Sequence, residues 1–260
     1  MMQKEISWLL KEKYSGIPTD NFYKDIKRLN GDEPLAFVIG FTEFLGCKID
    51  LSKKPLIPRP ETEYWVSQVI TNTLTFSRIR ECGTVKILDM FAGSGCIGIA
   101  ISRHVKKAKV IFADKDKKCL EQIRINLKNN HVRGNVSAHV IQSDVFSNIK
   151  GRFDYIFANP PYIPTTRKNK IQKSVLKYEP RSALFGGKDG LFYINKFLRE
   201  AKKHLRRPAS AEASAWGPQI FMEFDYIQKK GIERLLKKYD YKNYEFHKDQ
   251  YGRYRWVGIV

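Results

Sequence analysis

The chain has 260 residues, 42% hydrophobic and 13% aromatic, with 17 Gly and 11 Pro; this composition excludes disorder, collagen and coiled-coil arrays and leaves enough for one large core with a small appended domain. Lys and Arg number 47 against 27 Asp and Glu, a formal charge of +20 at pH 7. That exceeds what solubility requires, so a polyanionic partner or surroundings is expected, with a Lys-rich background composition as the plain alternative.

The chain opens with two short amphipathic patterns. Ile6, Leu9 and Leu10 share one face, and Phe22, Ile26 and Leu29 another, across the junction Gly16-Ile17-Pro18-Thr19-Asp20. A glycine turn followed by proline near a helix start predicts a helix-turn-helix. From 33 to 58 the pattern changes, and Phe44, Leu45, Cys47, Ile49 and Leu51 predict a small hairpin. Residues 1–58 are therefore expected to form a small helical lobe with a hairpin linker, and 59–260 the main domain. The apolar run 6–10 is too short for a secretory signal, and no stretch approaches the roughly 20 apolar residues of a membrane span. Cys47, Cys82, Cys96 and Cys119 show no CxxC pair and no His partner at zinc-ligand distance, so no metal is expected. A soluble, cytoplasmic protein with reduced cysteines is expected.

From Val85 strands and helices alternate. A strand at 85–91 leads through a glycine loop into the apolar stretch 97–101, and a strand at 110–113 follows. A helix with Leu120, Ile123 and Leu127 on one face comes next, then strands at 136–141 and 153–158. A helix with Phe192, Phe197, Leu198, Ala201 and Leu205 precedes a strand at 219–224 and a helix at 227–239. Segments 244–247 and 254–260 flank a turn at Gln250-Tyr251-Gly252. This predicts an α/β class, Rossmann-like doubly wound sheet closed by an antiparallel C-terminal hairpin. Segment 206–215, low in complexity, reads as a solvated loop insertion.

Two motifs carry chemistry. In Asp89-Met90-Phe91-Ala92-Gly93-Ser94-Gly95 a strand passes into a helix, and Asp114 ends the next strand 19 residues beyond Gly95. Glycines there admit a ligand to the backbone, and the acid can accept ribose hydroxyls. Gly98 completes G-x-G-x-x-G, so a dinucleotide remains open on the glycines alone. Asp89, better placed beside a cation, points instead to the sulfonium and amino acid part of S-adenosylmethionine. The second motif, Asn159-Pro160-Pro161-Tyr162, directly follows an apolar strand. The fourth strand of a doubly wound sheet lies beside the first, so both motifs open on the crevice where strand order reverses. Asn159 and the proline carbonyls offer acceptors to an NH2 group held by its hydrogens. Such a nitrogen, its lone pair delocalised, must be posed toward the methyl it attacks, while Tyr162 walls the planar group.

These motifs resemble a class I S-adenosylmethionine-dependent methyltransferase, and more narrowly the release factor glutamine methyltransferases. The narrower resemblance is carried by Glu33-Pro34-Leu35, Gly40, Glu43-Phe44, Leu56-Ile57-Pro58-Arg59-Pro60-Glu61-Thr62-Glu63, Tyr178-Glu179-Pro180-Arg181, Asp189-Gly190-Leu191, Asp249, Gly252 and Arg255. The resemblance implies that Phe91, Ala92, Gly93, Ser94 and Gly95 line the methionine part of the cofactor, with Asn159 also at the cofactor. It places Asp114 at the ribose and Asp144 and Val145 at the adenine. Asn159, Pro160, Pro161 and Tyr162 would hold the substrate glutamine, with Asn159, Pro160 and Tyr162 catalytic; Arg59, Glu61 and Glu179 would brace the cleft, with a purely structural ion pair or helix-start role as the alternative. Phe91 and Asp225 stand where the family carries glycine. The implied reaction moves a methyl group to the side-chain amide nitrogen (N5) of the glutamine in a Gly-Gly-Gln motif of peptide chain release factors. Because Asn-Pro-Pro-Tyr is shared with adenine-N6 methyltransferases, RNA or DNA stays open as substrate, as does a ribosomal protein glutamine. A non-catalytic RNA-binding module is the third class. The basic charge implies proximity to the ribosome or nucleic acid.

Overall fold

Thr19 sets the start of the second helix by accepting the Phe22 amide at 3.3 Å, an N-cap that satisfies one of the orphan donors of the first turn. The computed structural model describes residues 2–74, 84–132, 139–206, 217 and 219–260. Helices α1 (Met2–Tyr14), α2 (Asp20–Asn30) and α3 (Leu35–Ile39) bury Leu9, Phe22 and Val38 against one another in a small core of their own. Asp25 ties them together, accepting Lys13 Nζ and Tyr14 OH, each at 2.7 Å.

The expected hairpin is present as β1 (Phe41–Phe44) and β2 (Cys47–Asp50). Its inward residues Phe44, Cys47 and Ile49, with Leu51 beyond, join the main core rather than the helical one. Amides on α6 (Lys117–Asn129) explain the attachment, because Gln122 Oε1 and Asn126 Oδ1 receive the backbone N–H groups of Lys53 and Asp50 at 2.8 and 2.7 Å. Helix α4 (Pro60–Val69) begins on a proline, where the missing N–H costs nothing.

Strands β3 (Val85–Met90), β4 (Ala108–Asp114), β5 (Val140–Gln142), β6 (Tyr155–Ala158), β7 (Ile220–Glu223), β8 (Tyr244–Lys248) and β9 (Tyr254–Ile259) form one sheet in the order β5-β4-β3-β6-β7-β9-β8. The first five in chain order run parallel, and β9 and β8 close the sheet antiparallel. The sheet is thus the doubly wound class expected, with the fourth strand of the alternation, β6, paired beside β3. Both faces are covered, which is why β6 and β7 are buried at every position. Helices α5 (Cys96–His104) and α6 pack on one side, with α9 (Phe192–Ala201) and α10 (Lys229–Lys238) on the other.

Helix α5 sits unusually close to the sheet. A Cβ on Gly98 would lie 2.3 Å from the Phe112 ring, so the third glycine of G-x-G-x-x-G serves helix-to-strand packing here. Asp225 caps the turn Tyr226–Gln228 through a capping box with Gln228, and its φ of −83° requires no glycine.

The structure differs from the sequence expectation in places. Short helices α7 (Lys173–Tyr178) and α8 (Arg181–Leu184) and a 3-10 turn Thr165–Lys170 fill a stretch whose sequence carries no sustained period. Residues 136–138 of the expected third strand, Cys82, and all of the insertion but Arg206 lie outside the described residues. No helix among the described residues is long and apolar enough to cross a membrane.

Candidate active site

Met90 and Ala158 are register partners at the carboxyl ends of adjacent parallel strands, so the Phe91 loop and the Asn159 loop leave the sheet side by side. This is the switch point, where strand order reverses and a crevice opens. A cleft of about 890 Å³, including its open mouth, is lined by Phe91, Ala92, Gly93, Ser94, Asp114, Asp144, Val145, Asn159 and Pro161, among others. A second hollow of about 600 Å³ is lined by Asn159, Pro160, Tyr162, Ile171, Val175 and Glu223. Leu56, Arg59, Asn159 and Ala183 border both. By total empty space, open mouth included, the first is the large chamber and the second the small one, and Asn159 borders both.

The large chamber is shaped by backbone that side chains resist. Phe91 holds φ +59° and Val145 φ +54°, left-handed conformations that cost a β-branched or bulky residue on the order of 1–3 kcal/mol. The value at Phe91 is one that glycine adopts without strain, in keeping with the glycine that the resemblance implies at this position. Burial offsets the strain: Val145 is buried, and the Phe91 ring packs against Tyr193 and Phe197 at 6.0 and 6.2 Å. Asp114 accepts the amides of Gly93 and Asp116, each at 2.9 Å, one on each carboxylate oxygen. Burial pushes its pKa up, and the remaining lone pairs can take a pair of hydroxyls. Asp144 borders the cleft while its carboxylate pairs with Lys196 at 2.6 Å.

Asp89 lies below the loop, 1% exposed. Its Oδ2 accepts the Gly98 amide at 2.9 Å, while Oδ1 is buried with no partner. Burial raises its pKa to about 7. Asp89 does not itself line the cleft, but an unmatched buried acceptor directly behind the lining Met90 and Phe91 fits a ligand that brings positive charge. With the diol acceptors of Asp114, it suits S-adenosylmethionine, which carries a sulfonium, an ammonium and a ribose.

At the small chamber, Asn159 Nδ2 donates to Thr62 Oγ1 at 3.4 Å. Asn159 Oδ1 and the Pro160 carbonyl receive no donor among the described residues, so both acceptors named by the sequence are available. Tyr162 OH donates to Glu223 Oε1 at 3.0 Å, and burial holds its pKa well above 10. It walls the chamber as a neutral hydroxyl. The main chain behind it is locked, since Gln228 Nε2 donates to the Tyr162 carbonyl at 2.8 Å. A Cβ on Gly190 would lie 2.1 Å from that oxygen.

Arg59 donates to Glu179 at 2.7 Å, and Glu179 also accepts the Ile57 amide at 3.1 Å. The pair spans the rim that the sequence assigned to Arg59 and Glu179, whereas Glu61 sits in the first turn of α4. Sequence reasoning missed Thr62, Trp65, Glu223 and Tyr193. A glutamate at the end of an apolar strand, between Met222 and Phe224, was a usable signal, because buried carboxylates are rarely left unpaired. The rim beside Ile171 and Val175 is basic: Lys168, Lys170, Lys173 and Lys177 are exposed there, and residues 165–178 contain no Asp or Glu.

Residues 67–202 match the family model described as the methyltransferase small domain. The chain is 32% identical over 235 residues to a release factor glutamine methyltransferase of Flavobacterium psychrophilum, covering 89% of this chain and 77% of that one. It is 30% identical to a protein of the same name from Lactococcus lactis, over 98% of this chain and 88% of the relative. Among solved structures, a methyltransferase from Pyrococcus furiosus superposes with a TM-score of 0.55 at 18% identity, covering 82% and 89% of the two chains. That likeness speaks to fold.

Proposed function

Because the chain belongs to the release factor glutamine methyltransferase family and is an S-adenosylmethionine-dependent methyltransferase, we propose that it methylates the N5 side-chain amide of the glutamine in the Gly-Gly-Gln motif of peptide chain release factors. The observation that carries this reading is the position of Asn159 between the two chambers, with Oδ1 and the neighbouring Pro160 carbonyl open. In this reading residues 59–260 form the catalytic domain and residues 1–58 a small lobe with its hairpin linker.

The cofactor, when bound, supplies a methyl group on a sulfonium sulfur. Phe91, Ala92, Gly93, Ser94 and Gly95 would hold its methionine part, Asp114 its ribose, and Asp144 and Val145 its adenine, with Asn159 at the methyl end. Asn159 Oδ1 and the Pro160 oxygen each accept one N–H of the target amide, which draws the nitrogen toward tetrahedral geometry and aims its lone pair. The same two dipoles stabilise the positive charge that the nitrogen gains as the C–N bond forms and the C–S bond breaks to leave a neutral thioether, and the methylated amide then gives its surplus proton to solvent as product leaves. Tyr162 and Pro161 wall the planar group and exclude water. The surrounding groups are poor bases: Glu223 is occupied by three donors, and the Tyr162 hydroxyl stays protonated.

The reading is tested by transfer of labelled methyl to release factor, ribosome and tRNA in parallel, with mass spectrometry of the release factor. Methyl on the Gly-Gly-Gln glutamine is expected; an unmodified glutamine under conditions where the enzyme turns over another substrate would sink the proposal. One observation favours a second reading, adenine-N6 transfer to RNA or DNA: the basic rim at 165–177 would suit phosphates, although it would equally meet an acidic protein surface or the ribosomal surroundings.

Cofactor affinity should depend on pH through Asp89. Its carboxyl in the free protein titrates near pH 7, and a cation beside it favours the ionised form, so binding releases a proton below that point. Affinity is expected to rise by up to about fivefold from pH 6 to 7, by about twofold more to pH 8, and to level off above. Calorimetry in buffers of different ionisation enthalpy reads the proton release, and Asp89→Asn should abolish that component.

A further inference from the structure

An asparagine amide has two ends of nearly the same shape and opposite hydrogen-bonding sense. If Asn159 is to accept an N–H of the substrate, its oxygen must face the chamber; turned over, it would present its own NH2 to an NH2. Something in the protein must discriminate between the two, and the neighbours of Asn159 do so through a chain of donors that begins at a tryptophan.

Trp65 Nε1 can only donate, and it lies 2.7 Å from Glu223 Oε2. The ring is fixed, fully buried and stacked at 6.0 Å on both Phe157 and Trp256. Glu223 Oε1 faces the Tyr162 hydroxyl, which can donate or accept. Any proton on the carboxyl is therefore best placed on Oε1, and Oε2 remains an acceptor. The Thr62 hydroxyl lies 2.7 Å from the same Oε2, so its single O–H is spent there. Only lone pairs remain on Thr62 Oγ1, and they face Asn159 at 3.4 Å. Nδ2 can meet them; Oδ1 cannot. The last link is long, as contacts at reacting sites often are before substrate tightens them. Thr62 and Glu223 are 2% and 1% exposed, so water does not compete in the chain.

We propose that Trp65, Glu223 and Thr62 act as positioning residues that fix the sense of the Asn159 amide, keeping Nδ2 inward and Oδ1 toward the reacting nitrogen. This rests on the reading of Asn159 as the acceptor for the target amide. It adds a reason for a threonine at position 62 and a glutamate at the end of β7 that neither cofactor nor substrate contact supplies.

Thr62→Val keeps the shape and removes the hydroxyl. Its kcat for release factor is expected to fall about 10- to 100-fold, the range for losing one buried charge-assisted link, with cofactor affinity and release factor KM changed less than about threefold. Thr62→Ser, which retains the hydroxyl, should recover most of the rate. The decisive comparison uses Asn159→Asp, whose carboxylate accepts from either oxygen and needs no orientation. In that background Thr62→Val should cost less than about threefold. An unchanged kcat in Thr62→Val overturns the relay, and so does an equal cost in both backgrounds, which would mark a packing role. If Asn159→Asp is too slow to follow, the Val and Ser variants decide at matched thermal stability: equal kcat overturns the proposal, and recovery in Ser alone supports it. Asn159→Ala separates the two levels. A dead Asn159→Ala beside a fully active Thr62→Val removes the relay and leaves the functional reading standing, whereas a fully active Asn159→Ala removes both.

Discussion

Asn159→Ala is expected to bind S-adenosylmethionine within about threefold of the unaltered protein and to lose about 100- to 1000-fold in methyl transfer, the range found when one preorganised group facing developing charge is removed. The asymmetry follows from where the contacts lie. In the proposed reading cofactor binding is shared among the 91–95 loop, Asp114, Asp89 and the strained turn at Val145, so a single side chain on the dividing wall would contribute little to it. In the same reading the substrate nitrogen is held by two acceptors, Asn159 Oδ1 and the Pro160 carbonyl, and the substitution deletes one. The fold should tolerate the change, because among the described residues Asn159 makes a single side-chain hydrogen bond, at 3.4 Å. Calorimetry gives the affinity and single-turnover transfer of labelled methyl gives the rate; equal losses in both would move Asn159 to the cofactor side of the wall.

The architecture was legible because the alternation from Val85 onward is regular, and the placement of the fourth strand beside the first follows from doubly wound topology. Phe91, standing where the resemblance calls for glycine, proved informative: the chain adopts φ +59° there regardless, held by aromatic packing. The hairpin was legible as a hairpin, but its attachment to α6 through Gln122 and Asn126 was not, since amides on a helix face announce no partner. The same limit hid the Glu223 cluster. Thr62 and Glu223 are 161 residues apart and meet only once β7 is laid beside β6. Helices α7 and α8 are too short to show a period. The charge with which the sequence stands out is partly local: residues 165–178 place basic side chains at the mouth of the small chamber with no acid among them.

Gly98→Ala should destabilise the protein, which reverses what its position in a helix would give. In an exposed helix interior the exchange gains about 1 kcal/mol. Here the new methyl would stand 2.3 and 2.8 Å from two atoms of the Phe112 ring and 2.9 Å from Val110 Cγ1. Both neighbours are buried in β4, so neither can swing into solvent, and α5 must lift from the sheet. Overpacking of this kind costs about 1–3 kcal/mol and occasionally more. Even after the helix-propensity gain, a Tm several degrees lower is expected at the roughly 2–4 °C per kcal/mol of a chain this size. Function should follow stability down, because the Gly98 amide is the donor that holds Asp89 Oδ2 at 2.9 Å and α5 starts directly after the Gly95 loop. Lifting the helix withdraws that donor and shifts the loop, so cofactor affinity should fall about tenfold as one charge-assisted hydrogen bond is lost. Adding Phe112→Leu removes the ring edge that the methyl meets and should recover part of the lost Tm and affinity together, the 2.9 Å approach to Val110 and the lost ring volume accounting for the rest. A Gly98→Ala protein that melts higher than its parent would show that another contact sets the spacing between α5 and the sheet.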